Sequence, residues 1–499
     1  MEMMKLSELP GGAAVHGDGN TTVNSVSLDS RTVEPGGLYA ALPGANAHGA
    51  QFAQQALDRG AAAILTDPAG RDLLPASAGD IPVLTHPAPR AILGDIAAAI
   101  YGTDPQTPAL FGITGTNGKT TSTFILDGLL RSIGRTTGLI GTVATVIAGQ
   151  EQPSVRTTPE APDLHRLFKN MRDQGVDACS MEVSSHALSQ HRVDGAHFTV
   201  AGFTNLSQDH LDFHGTMEEY YRAKALLFTP QFASRGVIVL ADDWARQLVH
   251  DSQIPVVTVS ARLEDNADYR IEDIDGLAFT LRGYSVSLRA KSPLPGDFNI
   301  SNTALALAML LESGVSADEL AAAAEGFSVN VPGRMEVVSE QAPRAIVDYS
   351  HTPDAIEKAL AGLSGQPLVV VCGAGGERDD SKRPLMGRAA AENADVVIIT
   401  DDNPRSEDPA TIRAEVIAGA RAAVAEGTSR AAADAIVEYA SRREAIEAGV
   451  AAAGESGTVL VAGKGHEPGQ DYGDTKLPFD DREITRTAVS QRGSSAATR

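Results

Sequence analysis

A chain of 499 residues is too long for a single hydrophobic core, so about three domains are expected. With 42% hydrophobic and 21% charged residues, global disorder is excluded, and no apolar run reaches the roughly 20 residues of a membrane helix. A formal net charge of -23 argues against nucleic-acid or membrane partners and leaves any phosphorylated ligand to local lysines, arginines and backbone N–H groups.

The first residues, MEMMKLSELPGG, have neither a basic start nor an apolar core, so no secretory signal is expected. Residues 21–103 alternate strand-like and helix-like runs. TTVNSVSLDSR, GLYAAL, AAAILTD and IPVLTH read as strands, and residues 50–59 and 89–101 as helices. The polar stretch GTDPQTP at 102–108 reads as a domain boundary. ALFGI then gives a short strand, followed by a Gly/Thr loop and a helix over 119–133. DACSMEV and FTVAGFTN read as further strands, 217–228 as a helix, 236–288 as additional sheet and 302–311 as a helix. A second boundary falls at Val331-Pro332-Gly333, giving domains at 1–104, 105–332 and 333–499. In the last third, the Val/Ile-rich runs in AIVDYS, PLVVVCGAGG, ADVVIITDD and TVLVAGKG read as parallel strands buried on both faces, with alanine-rich helices between them. A polar tail after about Ser490 is expected to fray. The two cysteines, Cys179 and Cys372, each sit in a strand-like apolar run and read as reduced core thiols, which fits a cytoplasmic protein.

The strongest local signal is Gly112-Ile113-Thr114-Gly115-Thr116-Asn117-Gly118-Lys119-Thr120-Thr121, between a predicted strand and a predicted helix. Glycines let backbone N–H groups converge on phosphate oxygens, and the helix N-terminus adds partial positive charge. Lys119 is expected to bridge the β- and γ-phosphates, and the Thr120 hydroxyl to hold Mg²⁺. The strict phosphate-loop pattern has glycine where this chain has Ile113; glycines stand at 112 and 115 instead. The bland alternative, a tight strand-to-helix turn, does not call for Gly-Lys-Thr-Thr at a helix start.

Four other residues read two ways. Glu182 ends the strand DACSMEV, where a carboxylate can reach a metal beside the loop; otherwise it is a solvated strand-end residue. His210 and His214 lie four apart, as in a zinc pair, but no further ligand with zinc-like spacing is evident. Lys224 lies on the apolar stripe of its helix with Tyr220, Leu227 and Phe228. Pattern alone favours a snorkelling stem; burial would instead lower its pKa and free the amine to capture CO₂.

GTNGKTT with this glycine spacing resembles the loop of the Mur ligases and folylpolyglutamate synthetases. MEVSSHAL, TNLSQDHLDFHG, YYRAKALLF, DYSHTPD, GERDDSKRPLMG, DDNPR and GKGHE are similar to motifs of the muramyl tripeptide synthetase branch, over about 28–467. The resemblance implies an α/β protein of three domains: an N-terminal UDP-binding domain, a central P-loop ATPase-like parallel-sheet domain and a C-terminal Rossmann-like domain. It implies ATP as co-substrate, two Mg²⁺ ions and a monomer that joins meso-diaminopimelate to UDP-N-acetylmuramoyl-dipeptide. Catalytic roles fall to Lys119, Glu182, His210 and Lys224, with Lys224 carbamylated (N6-carboxylysine) and Thr120, Glu182, His210 and Lys224 as metal ligands. ATP contacts fall to Gly115, Thr116, Asn117, Gly118, Lys119, Thr120 and Thr121, with Asn302, Arg334 and Asp348 on the adenosine side. The UDP substrate is assigned to Leu28, Ser30, Ala45, Asn46, Ala47, Thr157, Thr158, Ser184, Gln190 and Arg192. Diaminopimelate is assigned to Arg378, Asp402, Asn403, Pro404, Arg405, Gly463 and Glu467. Arg192 suits an anionic partner, Arg405 offers a planar fork for a second carboxylate that lysine lacks, and Glu467 suits an ammonium. The alternatives are a sibling ligase with another acceptor or amino acid, disfavoured by DNPR and RPLM, and a nucleotide-gated binding module, which has no need of a second metal.

Overall fold

The computed structural model describes residues 3–103, 108–284, 286–340 and 342–496; of the expected linker, residues 104–107 lie outside these. Three large sheets divide the chain, over residues 14–85, 109–291 and 336–462, beside two small two-stranded ones. The first has five strands in the order Ala14–His16, Val83–Thr85, Ala63–Thr66, Leu38–Ala40, Val26–Ser27, parallel except at the Ala14–His16 edge. The second has eleven, with the strand Ala109–Thr114 in its interior between Ala178–Glu182 and Val200–Phe203, both parallel to it. The third has six, parallel apart from the edge strand Glu336–Ser339.

Alternation along each strand explains why helices cover both faces. Leu110, Cys179, Met181 and Ala201 point to one core with the helix Ala161–Asp173, while Phe111, Ile113, Val200 and Val237 point to another with the helices Lys119–Ser132 and Asp297–Glu312. Ile125, Leu126 and Leu129 repeat at helical spacing, are fully buried, and each contributes about 1.5–3 kcal/mol of burial. The third sheet is built the same way: Val370, Cys372 and Ile399 face one core, Val369, Val371 and Ile398 the other. Both cysteines are buried free thiols, as their apolar runs predict.

The expected order of elements holds, with two differences. Residues 236–288 are not all sheet, because the helix Asp243–Asp251 interrupts them, capped by Asp242 accepting from Ala245 N–H at 2.8 Å. The chain after Ser490 does not fray at once: the helix Asp481–Ala496 continues past it because Ile484, Ala488 and Val489 lock its face onto the third sheet. Within the C-terminal domain the helices Lys382–Asn393 and Pro409–Glu426 pass so closely that a Cβ on Gly387 would lie 1.8 Å from the Val416 carbonyl oxygen. No helix among the described residues is long and apolar enough to cross a membrane.

Candidate active site

The loop from Gly115 to Gly118 leaves the C-terminal end of the interior strand Ala109–Thr114, flanked by two parallel neighbours, where open α/β sheets form ligand crevices. Two glycines are required there. Gly115 has φ +147° and a Cβ would meet Thr204 Oγ1 at 1.9 Å; Gly118 has φ +87° and a Cβ would meet Asn302 Oδ1 at 2.7 Å. Gly118 also caps the helix Lys119–Ser132, and with no side chain it leaves the first-turn N–H groups open toward the loop. Ile113 is a buried core residue of the strand, so the glycine of the strict pattern is replaced by packing.

Lys119 Nζ donates to the carbonyls of Gly115 and Thr116, both at 2.9 Å. The Thr120 hydroxyl donates to Glu182 Oε2 at 2.9 Å, and Thr142 N–H donates to Glu182 Oε1 at 2.7 Å. Glu182 is 1% exposed, so the solvated strand-end reading does not hold: the carboxylate is folded in against the loop. Lys224 is also 1% exposed, with its Nζ 4.5 Å from the Tyr220 ring centroid and 2.7 Å from the Gly115 carbonyl oxygen. The snorkelling reading therefore fails, because the stem carries the amine inward to the phosphate loop. Burial, reinforced by the Lys119 charge, holds the Lys224 amine well below the usual lysine range.

His210 takes a left-handed conformation, φ +54°, before the short helix Leu211–His214. Burial pushes its imidazole down to about 3, against the pull of Asp209. His210 and His214 gather around His186, ring centroids 4.8 and 5.4 Å away, and His214 Nε2 contacts Ser185 Oγ at 2.9 Å. Among the described residues no three His, Cys, Asp or Glu side chains form a ready metal cluster. The donors beside the loop, the Thr120 hydroxyl and the Glu182 carboxylate, are hard oxygens. They fit Mg²⁺, which takes few protein ligands and completes its shell with water and phosphate.

A cavity of about 550 Å³ opens beside the loop. Its walls include Asn117, Gly118, Thr121, Asn302, Arg334 and Asp348, which brings the expected adenosine-side residues to the phosphate loop. Arg334 comes from the C-terminal domain, donates to Thr120 Oγ1 at 3.2 Å and lies 4.3 Å over the Tyr349 ring. Asn117 Nδ2 donates to Asp354 at 3.1 Å and Gln208 Nε2 to Asp379 at 2.9 Å, so these contacts too hold the C-terminal domain against the central one.

A second cavity, about 940 Å³, lies between the first and second sheets. Leu28, Ser30 and Ala47 line it; Ala45 and Asn46 are exposed but not among its walls. Thr157, Thr158, Ser184, Gln190 and Arg192 are not among its walls. Thr158 Oγ1 donates to the Glu182 carbonyl at 2.9 Å, and Arg192 donates to Gln190 Oε1 at 2.6 Å. The anionic partner of Arg192 is Glu160, with Nε 3.0 Å from Oε1, and Arg90 and Arg156 pair with the same carboxylate. Sequence reasoning passed over Glu160, although it stands two residues after Thr158.

In the C-terminal domain Asp402, Asn403, Gly463 and Glu467 come together around the fully buried Lys464. Its ammonium is 2.8 Å from Asn403 Oδ1, 3.1 Å from Glu467 Oε2 and 3.7 Å from Asp402 Oδ1. Glu467 thus already holds an ammonium, that of Lys464, a residue inside the same GKGHE motif that the sequence reading left unassigned. Pro404 and Arg405 continue the loop, Arg405 at φ +54° with its guanidinium on the Gly376 carbonyl. Arg378 is half exposed, 3.7 Å from Asp212; a Cβ on Gly375 would meet Arg405 Nη1 at 3.1 Å and Arg378 Cγ at 4.0 Å, so both arginines flank that glycine.

Fold and site together define a nucleotide-dependent α/β enzyme of three domains. The chain matches the models described as "Mur ligase family, catalytic domain" over 22–101, "Mur ligase middle domain" over 113–310 and "Mur ligase, glutamate ligase domain" over 333–465, and it belongs to the Mur ligase family. Among curated relatives, the UDP-N-acetylmuramoyl-L-alanyl-D-glutamate–2,6-diaminopimelate ligase of Streptomyces avermitilis is 47% identical, covering 97% of this chain and 96% of its own. The UDP-N-acetylmuramyl-tripeptide synthetase of Leifsonia xyli is 44% identical over 97% and 95%. A solved UDP-N-acetylmuramoyl-L-alanyl-D-glutamate–2,6-diaminopimelate ligase superposes with TM-score 0.66 at 32% identity, over 99% of this chain and 100% of that one.

Proposed function

We propose that this ligase adds meso-2,6-diaminopimelate to UDP-N-acetylmuramoyl-L-alanyl-D-glutamate, with ATP converted to ADP and phosphate, in peptidoglycan precursor synthesis. The carrying observation is the Thr120 hydroxyl, bonded to Glu182 on one side and reached by Arg334 of the C-terminal domain on the other. That arrangement suits a phosphoryl group enclosed between two domains. The near-full-length likeness to relatives that carry this name supports the choice of substrates. The sheet limits support domain bounds of 1–104, 105–332 and 333–499, and the reading takes one chain as one complete site.

In the first step a carboxylate oxygen of the D-glutamyl side chain bonds to the γ-phosphorus while the bond to the β-phosphate oxygen breaks, giving an acyl phosphate and ADP. Lys119 leaves its loop carbonyls for the transferring phosphoryl oxygens, and the first-turn N–H groups of its helix hold the others. In the second step the amine attacks the acyl carbon, the C–O bond to phosphate breaks, and the amine proton departs to solvent. Asn403, Arg405, Arg378 and Glu467 orient the amino acid so that its nucleophilic nitrogen meets that carbon. Thr120 and Glu182 would hold one Mg²⁺ ion, and His210 and carbamylated Lys224 a second; the metal would supply neutralisation of phosphate charge. The 940 Å³ cavity suits the UDP end, with Thr157, Thr158, Ser184, Gln190 and Arg192 holding the peptide toward Glu182.

The test is amino-acid-dependent phosphate release with the UDP-dipeptide present. kcat/KM for meso-diaminopimelate should far exceed that for L-lysine, and Arg405→Ala should cut the diaminopimelate value by about 2–5 kcal/mol, the penalty for unpairing a buried carboxylate. The ratio between the two amino acids should narrow in the variant. A wild type that prefers lysine, or an unchanged ratio, would refute the assignment of Arg405.

A further inference from the structure

Beneath the two loops that carry Asp402–Arg405 and Gly463–Glu467 lies an arginine that the assignments above do not use. Arg442 opens the helix Arg442–Ala453 and is 1% exposed, a depth that arginine reaches only when its donors are satisfied. Its Nε and Nη2 donate to the two oxygens of Asp481 at 2.8 and 2.6 Å, a bidentate fork, and both side chains have zero exposure. Nη2 also donates to the Ala462 carbonyl at 2.9 Å, and Nη1 to the Asp401 carbonyl at 3.4 Å. Ala462 ends the strand Thr458–Ala462, and Asp401 lies two residues past the end of the strand Val396–Ile399. These strands are not neighbours, because Leu368–Cys372 runs between them. One guanidinium therefore reaches across the intervening strand position and grips the backbone carbonyl immediately before each loop. The loops also meet directly above it: a Cβ on Gly463 would lie 2.3 Å from Asp402 Oδ2 and 3.8 Å from Arg442 Nη2.

A fully buried ion pair is a poor source of net stability, since the desolvation of both charges offsets most of their attraction, and an apolar pair of similar bulk often serves the fold equally well. What an apolar pair cannot do is hold two carbonyls at set directions. We infer that Arg442, fixed by Asp481, is a positioning residue for the amino-acid site: it sets the spacing between the Asp402–Arg405 and Gly463–Glu467 loops, and through it the affinity for the diamino acid. The inference rests on the reading that those loops receive meso-diaminopimelate.

The test compares wild type, Arg405→Ala and the double variant Arg442→Met/Asp481→Leu in the full-length protein. Thermal unfolding and the three substrate KM values are measured for each. The double variant should unfold near the wild-type temperature, with KM for meso-diaminopimelate raised at least about tenfold and KM for ATP and UDP-dipeptide within about twofold. Arg442→Lys, which supplies one point charge and no fork, should fall between the two. A double variant with a wild-type diaminopimelate KM, or with all three KM values rising together, would overturn the inference and leave the pair a structural element. If the double variant does not fold, Arg442→Lys and Asp481→Asn carry the same selective-KM criterion. If Arg405→Ala also leaves the diaminopimelate KM unchanged, the reading of the loops has failed; if it raises that KM while the double variant does not, only the inference about Arg442 has failed.

Discussion

At Gly115 two lysine side chains converge on one carbonyl oxygen, Lys119 at 2.9 Å and Lys224 at 2.7 Å. Two ammonium groups that close repel, and the cheaper state leaves one amine neutral; burial and the Lys119 charge hold the Lys224 amine well below the usual lysine range. A neutral primary amine forms an N–C bond to CO₂ and loses a proton, which converts it into an anionic oxygen ligand of the kind that Mg²⁺ prefers. Lys224→Ala is expected to reduce turnover at least about a hundredfold, as for loss of a group that stabilises transition-state charge. Formate or bicarbonate should partly restore it by replacing the missing oxygens. Full turnover in the unsupplemented variant would remove Lys224 from the mechanism. The pattern around Lys224 placed it on the buried stripe of its helix; the direction of its amine was not legible, because that depends on a loop 109 residues away.

The helices Lys382–Asn393 and Pro409–Glu426 meet through reciprocal glycines: Cβ atoms on Gly387 and on Gly419 would each lie 1.8 Å from a backbone carbonyl oxygen of the other helix. Backbone cannot rotate aside as a side chain can, so Gly387→Ala should lower stability by about 1–3 kcal/mol or more, read as a drop in Tm, whereas Gly427→Ala, strained but with open space, should cost less. A second consequence at this scale concerns the helix Ala161–Asp173, tied to its surroundings by His165. Its Nε2 donates to the Asp194 carbonyl at 3.0 Å, so Nδ1 accepts the Thr103 hydroxyl at 2.7 Å and the ring is neutral. Burial pushes the imidazole down to about 4, below its unfolded value near 6.5. The unfolded chain therefore binds the proton first as pH falls. The contribution is full above pH 6.5 and is lost as pH falls to about 4, a total of about 3 kcal/mol. Apparent Tm measured across that window should fall less steeply in His165→Gln than in wild type; parallel curves would show that His165 is not responsible.

Across the whole molecule, the cavity beside the phosphate loop is closed by side chains from two domains. Arg334 crosses to Thr120 at 3.2 Å, and it stacks on Tyr349 of its own domain at 4.3 Å. Arg334→Ala should raise KM for ATP about tenfold or more, since a charge-assisted contact contributes about 1.5–3 kcal/mol, while UDP-dipeptide affinity, assigned to the other cavity, stays within about twofold. Equal losses for both substrates would mean that Arg334 acts on the fold and not on closure.

The sequence by itself determined the parallel strands, the helix over 89–101, the phosphate loop and the motif that carries Asp402 to Arg405, because each is encoded within one or two turns of chain by glycine placement, apolar period and strand-end position. Tertiary structure decided what those side chains touch. Thr120 meets Glu182 across 62 residues, Arg334 across 214, and Asn117 meets Asp354 across 237. It also decided that Arg192 and Glu467 already have partners of opposite charge within the protein, Glu160 and Lys464, and that Arg442 is a buried brace and not a surface charge. Local pattern fixes which face of an element is apolar. The energy of a charged group depends on what the distant chain packs against it, since a buried charge is tolerated only where a specific partner arrives.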